Sequence, residues 1–223
     1  MKQIPLRLEQ SSYNAERFFV LHSGVITAYE ALMQLVESLV LVERKFAPVF
    51  IYGQSGTGKS HFLSVILERA RELGVLELLS YFDQNLGAHE DSWASEFVAK
   101  YESVKAQNGL MIICSQVHPS KFSTNPHIQS RIQTTEILEL NFPTSVELKP
   151  ILEAILTKRG LKLPQDMLDK IAKHSTRDLL SFDVVFSRLN ELLLEDSKSL
   201  RSQHGRKLVS SALKFGLQDK LGG

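Results

Sequence analysis

The chain has 223 residues and carries 26 Lys and Arg against 25 Asp and Glu, a net charge of +1. That balance supplies no overall field to hold nucleic acid, so any such contact would need a local patch. The lone Cys114 excludes a disulfide within the chain and fits a reducing compartment, and its place in the apolar run Leu110 to Cys114 reads as core packing rather than as a nucleophile.

Met1 to Arg17 is polar and irregular and reads as an extended arm. Apolar residues at Ala28, Leu32, Leu35, Val36, Leu39 and Val40 have helical spacing and predict a helix over Val25 to Lys45. Pro48 to Tyr52 is short, apolar and β-favouring, and Gly53 stops it, which reads as a buried strand. A helix follows over Lys59 to Leu73, closed by Gly74, and then a strand over Val75 to Phe82. Ser92 to Gln107 reads as a helix whose stripe of Trp93, Phe97, Tyr101 and Val104 packs in the core. Leu110 to Cys114 is the third strand, His118 to Asn125 a polar loop, Ile128 to Gln133 one or two helical turns, and Glu136 to Leu140 the fourth strand.

After Pro143 the strand signals stop. Thr144 to Glu147 has the residues of a capping box, with Pro150 placed to kink or delay the helix it opens. Pro164 to His174, Thr176 to Glu195 and Arg206 to Phe215 read as further helices. The layout is α/β first and all-helical second, with the change near Asn141 to Thr144. It divides the chain into an arm over 1–16, an α/β core over 17–142 and a small helical domain over 143–223. No segment reaches the ~18 consecutive apolar residues of a membrane span, the His residues have no metal-ligand spacing, and the expectation is a cytoplasmic protein with no membrane contact.

Gly53-Gln54-Ser55-Gly56-Thr57-Gly58-Lys59-Ser60 carries every fixed position of the G-x4-G-K-[ST] phosphate loop. The glycines let successive backbone N–H groups turn inward on phosphate oxygens, and the next helix adds its positive end. Lys59 then reaches the outer phosphates, and the Ser60 hydroxyl holds Mg²⁺. An apolar strand before the loop and an amphipathic helix after it supply the context that the motif requires.

A phosphate loop alone does not separate kinases, GTPases and AAA+ proteins. Asp83-Gln84-Asn85-Leu86-Gly87-Ala88, then the Trp93 helix, then Leu110 to Gln116, resemble in order and spacing the second acidic motif and sensor 1 of DnaA-type replication initiators. Ile128-Gln129-Ser130-Arg131-Ile132 looks like the stretch of that family carrying the arginine finger. Ser175-Thr176-Arg177-Asp178-Leu179-Leu180 looks like its sensor 2 motif. The resemblance, to the DnaA/Hda family of AAA+ proteins, covers roughly residues 17 to 215. It implies a parallel sheet flanked by helices with a small helical lid, and binding of ADP or ATP with Mg²⁺. The phosphate loop, His61, Asp83, Gln116, Arg177, Phe19 and Val20 would line the nucleotide, with Ser60 and Asp83 on the metal. Arg131 would be offered in trans to a neighbour's nucleotide. Plainer readings remain for single residues: Asp83 as a strand end, Gln116 as a polar loop residue, Arg131 and Arg177 as solvated arginines.

Two features point to the regulatory, Hda-like branch. No helix-turn-helix segment follows the lid before Gly223, so sequence-specific DNA binding is not expected. Gln3-Ile4-Pro5-Leu6-Arg7-Leu8 is similar to the hexapeptide by which that branch binds the β sliding clamp, with Leu6 and Leu8 filling apolar pockets and Gln3 bonding at the rim. The resemblance thus implies the clamp and DnaA as partners, allows a homo-oligomer, and implies promotion of hydrolysis of DnaA-bound ATP. A DnaA-like or helicase-loader ATPase and a degenerate AAA+ scaffold are the alternatives. One departure bears on catalysis. Gln84 stands where the family has a second acid; it can bond a water but cannot take its proton, so intrinsic hydrolysis is expected to be weak or absent. The segment between Ser60 and Asp83 is also short. Either the sheet has lost an edge strand and helix, leaving four strands, or Asp83 is not the acidic-motif position.

Overall fold

The computed structural model describes residues 19–83, 90–160 and 163–174, with Phe182 and Phe186 beyond them. Gln3 to Leu8, Gln84, Arg177 and most of the last two expected helices lie outside the described residues. The described sheet is parallel and four-stranded in the order β2-β3-β1-β4. Here β1 is Ala47–Tyr52, β2 is Leu79–Asp83, β3 is Leu110–Ser115 and β4 is Glu136–Glu139. All six residues of β3 are buried, as expected of a central parallel strand covered on both faces.

Side chains alternate across the sheet and so build two cores. Val49, Ile51, Leu110, Ile112 and Cys114 face one side and pack with α1 (Ile26–Ser38) and α2 (Lys59–Glu72). Phe50, Phe82, Met111 and Ile113 face the other and meet α3 (Glu90–Ala106) and α4 (Pro126–Ile132). The stripe Trp93, Phe97, Tyr101 and Val104 is buried in that second core, as its spacing predicts. Beyond Leu140 the described elements are helical. In α5 (Leu148–Lys158) and α6 (Gln165–His174), Leu148, Leu152, Leu156, Met167, Leu168 and Ile171 form a third cluster with Phe182 and Phe186.

Several boundaries differ from the sequence reading. The first helix ends at Ser38, not Lys45: Leu39, Val40 and Leu41 donate their N–H three residues back, to Val36, Glu37 and Ser38. This tightened turn buries Leu39 but leaves Val40 57% and Val42 96% exposed, so Val40 is not on the apolar face. The strand expected from Val75 begins only at Leu79. Gly74 N–H bonds Arg71 O and Val75 N–H bonds Ala70 O, a Schellman closure of α2 that tucks Val75 inward. Leu76–Leu78 then completes a 3-10 turn before β2 starts. Pro150 delays the helix expected from Thr144 rather than kinking it, since α5 starts at Leu148 and takes the proline in its first turn, where no N–H partner is lost. Between Ser60 and Asp83 there is one helix, that turn and one strand. Asp83 closes β2 opposite Cys114 of β3, and the described sheet has the four strands that the first alternative for this segment expects.

Candidate nucleotide-binding site

The strand order makes β1 and β3 the place where the connections diverge: β1 leads over β3 to β2, while β3 leads over β1 to β4. In open α/β sheets the crevice beyond the carboxyl ends of such strands is the ligand site. The loop Gly53 to Gly58 lies there, between the end of β1 and the start of α2. Its backbone requires glycine. Gly58, the residue capping α2, has φ 90° and Gly56 has φ 83°, a region that costs L side chains. A Cβ on Gly53 would sit 2.5 Å from the Leu140 carbonyl oxygen. The same glycine donates its N–H to Ser115 O at 3.3 Å, tying the loop to the end of β3.

Side chains lock the bend. The buried Thr57 donates its hydroxyl to Gln54 O at 2.9 Å. Lys59 Nζ donates to Gly53 O at 2.6 Å and Gln54 O at 2.9 Å, so its ammonium lies within the loop. Burial lowers the Lys59 pKa, and the negative charge of Asp83 opposes that shift. Burial pushes the Cys114 thiol up to about 12, so at neutral pH it is uncharged and Asp83 is the effective counter-charge. Asp83 and Gln116 are exposed at the ends of β2 and β3, and Ser60 and Ser55 are exposed on the loop and first turn. These groups share one end of the sheet.

Phe19 links the chain before α1 to the same place. Its ring packs against Tyr29 of α1 at 5.8 Å and against His61 and Phe62 of α2 at 5.6 and 5.9 Å. Val20 follows it, partly buried. A clasp that sequence reasoning missed fixes this segment from the far side. The Glu147 carboxylate accepts from Ser23 N–H and Ser23 Oγ at 2.7 and 3.0 Å, and from Thr144 N–H and Oγ1 at 2.7 and 2.5 Å. The expected capping box is therefore half formed: Glu147 reaches back to Thr144 N–H, but the Thr144 hydroxyl bonds the carboxylate instead of a helix N–H. Asn141 N–H donates to Gly24 O at 2.9 Å beside it. Those hydrogen bonds, from Thr144 first and then Ser23, lower the Glu147 pKa from 4.5 to about 2.

Arg131 is not part of this cluster. It sits near the end of α4, whose chain enters β4 at Glu136, and β4 runs parallel to β1. It therefore lies at the amino ends of the strands, across the sheet from its own phosphate loop. Its guanidinium bonds Glu102 of α3, a partner 29 residues away that no local pattern announces.

Among the described residues no group of acidic, His and Cys side chains forms a metal site, and no helix is long and apolar enough to cross a membrane. No family model matches the sequence, and no curated protein matches it. Solved structures do. Domain III of the Thermotoga maritima replication initiation protein DnaA superposes with a TM-score of 0.73 at 19% identity, over 91% of this chain and 97% of that one. AMPPCP-bound DnaA from Aquifex aeolicus gives 0.64 at 21% identity, over 83% and 68%. The Holliday junction branch migration motor RuvB of Thermotoga maritima gives 0.60 at 14%, over 85% and 68%. At these identities the fold is what is shared, and the chain has the α/β fold of the AAA+ P-loop domains of DnaA and RuvB, with a four-stranded parallel sheet flanked by helices.

Proposed function

We propose that the chain is a DnaA-type AAA+ regulator of replication initiation, of the Hda-like kind. It binds adenine nucleotide at the phosphate loop and acts on the nucleotide of a neighbouring AAA+ protein through Arg131. The observation that carries this reading is the separation of the two groups: Arg131 lies across the sheet from its own loop, so its guanidinium serves a phosphate held by another subunit.

The loop residues fit a nucleotide's phosphates. Positive-φ glycines and a Gly53 that admits no Cβ describe a cradle of backbone N–H groups. Lys59 exchanges the Gly53 and Gln54 carbonyls for phosphate oxygens, and Ser60 with Asp83 would hold Mg²⁺. Gln116 would face the phosphates. Phe19, Val20 and His61 would border the base, and Arg177 would reach the nucleotide from a lid over 143–223. ADP or ATP bound there is a structural ligand that stabilises the folded form by mass action. With Gln84 in place of a second acid, the chain hydrolyses little or none itself.

Two solved DnaA structures are described as bound to AMPPCP, and one of these also to single-stranded DNA. They support the choice of nucleotide. Gln3 to Leu8 would tether the protein to the β sliding clamp, bringing Arg131 to ATP-bound DnaA, where it stabilises charge on the transferring phosphoryl group.

Hydrolysis of DnaA-bound ATP in the presence of DNA-loaded clamp tests the reading. The wild-type chain accelerates it, and Arg131→Ala removes most of the acceleration, an arginine finger being worth about 10³–10⁵ in rate. Equal acceleration by both proteins overturns the role of Arg131. Clamp pull-down with a Gln3→Ala/Leu6→Ala double variant loses the protein; equal retention removes the clamp tether and leaves a nucleotide-binding AAA+ module.

A further inference from the structure

Arg131 is held on three sides. Its Nε and Nη2 both donate to Glu102 Oε1, at 3.0 and 2.7 Å, and its Nη1 donates to His127 O at 2.6 Å. The guanidinium carbon lies 5.7 Å from the centre of the Tyr101 ring. That ring is itself fixed, packed edge-on against Phe46 at 5.0 Å. Thr134 gives its single hydroxyl proton to Arg131 O at 2.7 Å, so the Tyr101 hydroxyl, 2.8 Å from Thr134 Oγ1, must be the donor there. The side chain of Arg131 is 21% exposed, low for an arginine on a short surface helix.

Counting donors shows what is left over. A guanidinium has five N–H groups in one plane. The Nε–H and one Nη2–H form its side edge, and Glu102 takes both. One Nη1–H goes to the helix carbonyl. Two remain, one on each terminal nitrogen, the nitrogens whose end edge matches two oxygens of a phosphate. Arg131 lines an open cleft of about 260 Å³ together with Tyr101, Glu102, Lys105, Ser130 and Thr134. Glu102 would neutralise Arg131 if it were the sole neighbour. Lys105, one turn further along α3 and without a side-chain partner among the described residues, returns a net positive charge to the cleft.

We infer that Glu102 is the positioning residue of Arg131: it fixes the guanidinium on the Tyr101 ring with its end edge open to a phosphoryl oxygen of a nucleoside triphosphate carried by a neighbouring subunit. This rests on the reading of Arg131 given above and adds how the group is set. A free arginine would lose rotamer freedom on meeting the phosphate; one already mounted loses little, and placement errors near 1 Å cost up to about 100-fold in rate.

Two measurements test it. In the partner's ATP hydrolysis, Glu102→Ala lowers the stimulated kcat about tenfold, within that range, while the concentration giving half-stimulation stays put. Glu102→Gln, whose amide oxygen accepts the same two N–H bonds, restores most of the loss. Stimulation by Glu102→Ala at or above the wild-type level overturns the inference, because Glu102 would then be idle or a competitor for Arg131. If Arg131→Ala also stimulates normally, the reading of Arg131 fails instead. The second measurement needs no partner. In the ¹⁵N-labelled chain the Arg131 Nε–H signal, assigned by its loss in Arg131→Ala, is sharp and slow to exchange, and in Glu102→Ala it becomes mobile and fast. An unchanged signal removes the mount whatever the hydrolysis assay gives.

Discussion

The two ends of the sheet solve the problem of holding a charged group in different ways. At the carboxyl ends of the strands, consecutive residues from Gly53 to Ser60 do the work, with positive-φ glycines shaping the bend and the Gly53 and Gln54 carbonyls holding the Lys59 ammonium. At the amino ends, Arg131 depends on Glu102 and Tyr101 from another helix and on Phe46 from the approach to β1. The first arrangement is specified locally, and its glycines tolerate almost no change. The second is specified by packing, and its parts are individually ordinary. The comparison teaches that the phosphate loop is broken through the backbone, whereas the arginine edge is broken through single side chains.

The sharpest way to break the comparison is to remove the one charged side chain on which the loop does depend. Lys59→Ala is expected to weaken ADP and ATP binding by about 10- to 100-fold, the worth of a charge-assisted hydrogen bond of roughly 1.5–3 kcal/mol. Calorimetry on nucleotide-stripped protein reads it. The same variant leaves the Arg131 Nε–H signal unchanged, because the two sites lie across the sheet and share no partner. A lost signal would mean that the two ends are one coupled unit.

Gly53→Ala attacks the backbone itself. The added Cβ meets the Leu140 carbonyl at 2.5 Å and Thr57 Oγ1 at 3.0 Å, and the carbonyl belongs to the chain leaving β4, which cannot swing aside like a side chain. Overpacking of this kind costs about 1–3 kcal/mol, or very roughly 2–12 °C in Tm for a chain of this size. Thermal unfolding by circular dichroism measures it. A Tm within a degree of the wild type would show that Leu140 has room to move and that the loop is less constrained than its geometry states.

These differences also set what was legible in the sequence. The phosphate loop could be read because every residue it needs is contiguous and its strand and helix flank it. The apolar stripe of α3 and the run of β3 could be read because burial imposes a period on them. The end of α1 could not, since Leu39, Val40 and Leu41 continue the apolar pattern past the point where the hydrogen bonds tighten. Nor could β2 be entered correctly at Leu79, because the β-favouring Val75 is consumed by the closure of α2. Arg131 was marked by resemblance, but Glu102 and the pair of Ser23 with Glu147, 124 residues apart, carry no local signal at all. Charged residues on helix surfaces obey no period, so only the fold brings them together.

The clasp of Glu147 offers the smallest effect and a different way to sharpen the contrast, since it joins the segment after Phe19 to the start of α5 by side-chain bonds at the loop's own end of the sheet. Its folded pKa, about 2, lies below the ordinary 4.5, so the ionised form is favoured by folding. The contribution is therefore fully present above about pH 4.5 and is lost as pH falls towards 2. Glu147→Gln keeps the shape but gives up the charge. It should be less stable than the wild type at pH 7, by less than Gly53→Ala, and the gap should close on acidification through that window. Chemical unfolding of both proteins at pH 7, 4 and 2 checks it. A gap that persists at the lowest pH would mean that the carboxylate's charge is immaterial, and that the clasp acts only through the geometry of its hydrogen bonds to Ser23 and Thr144.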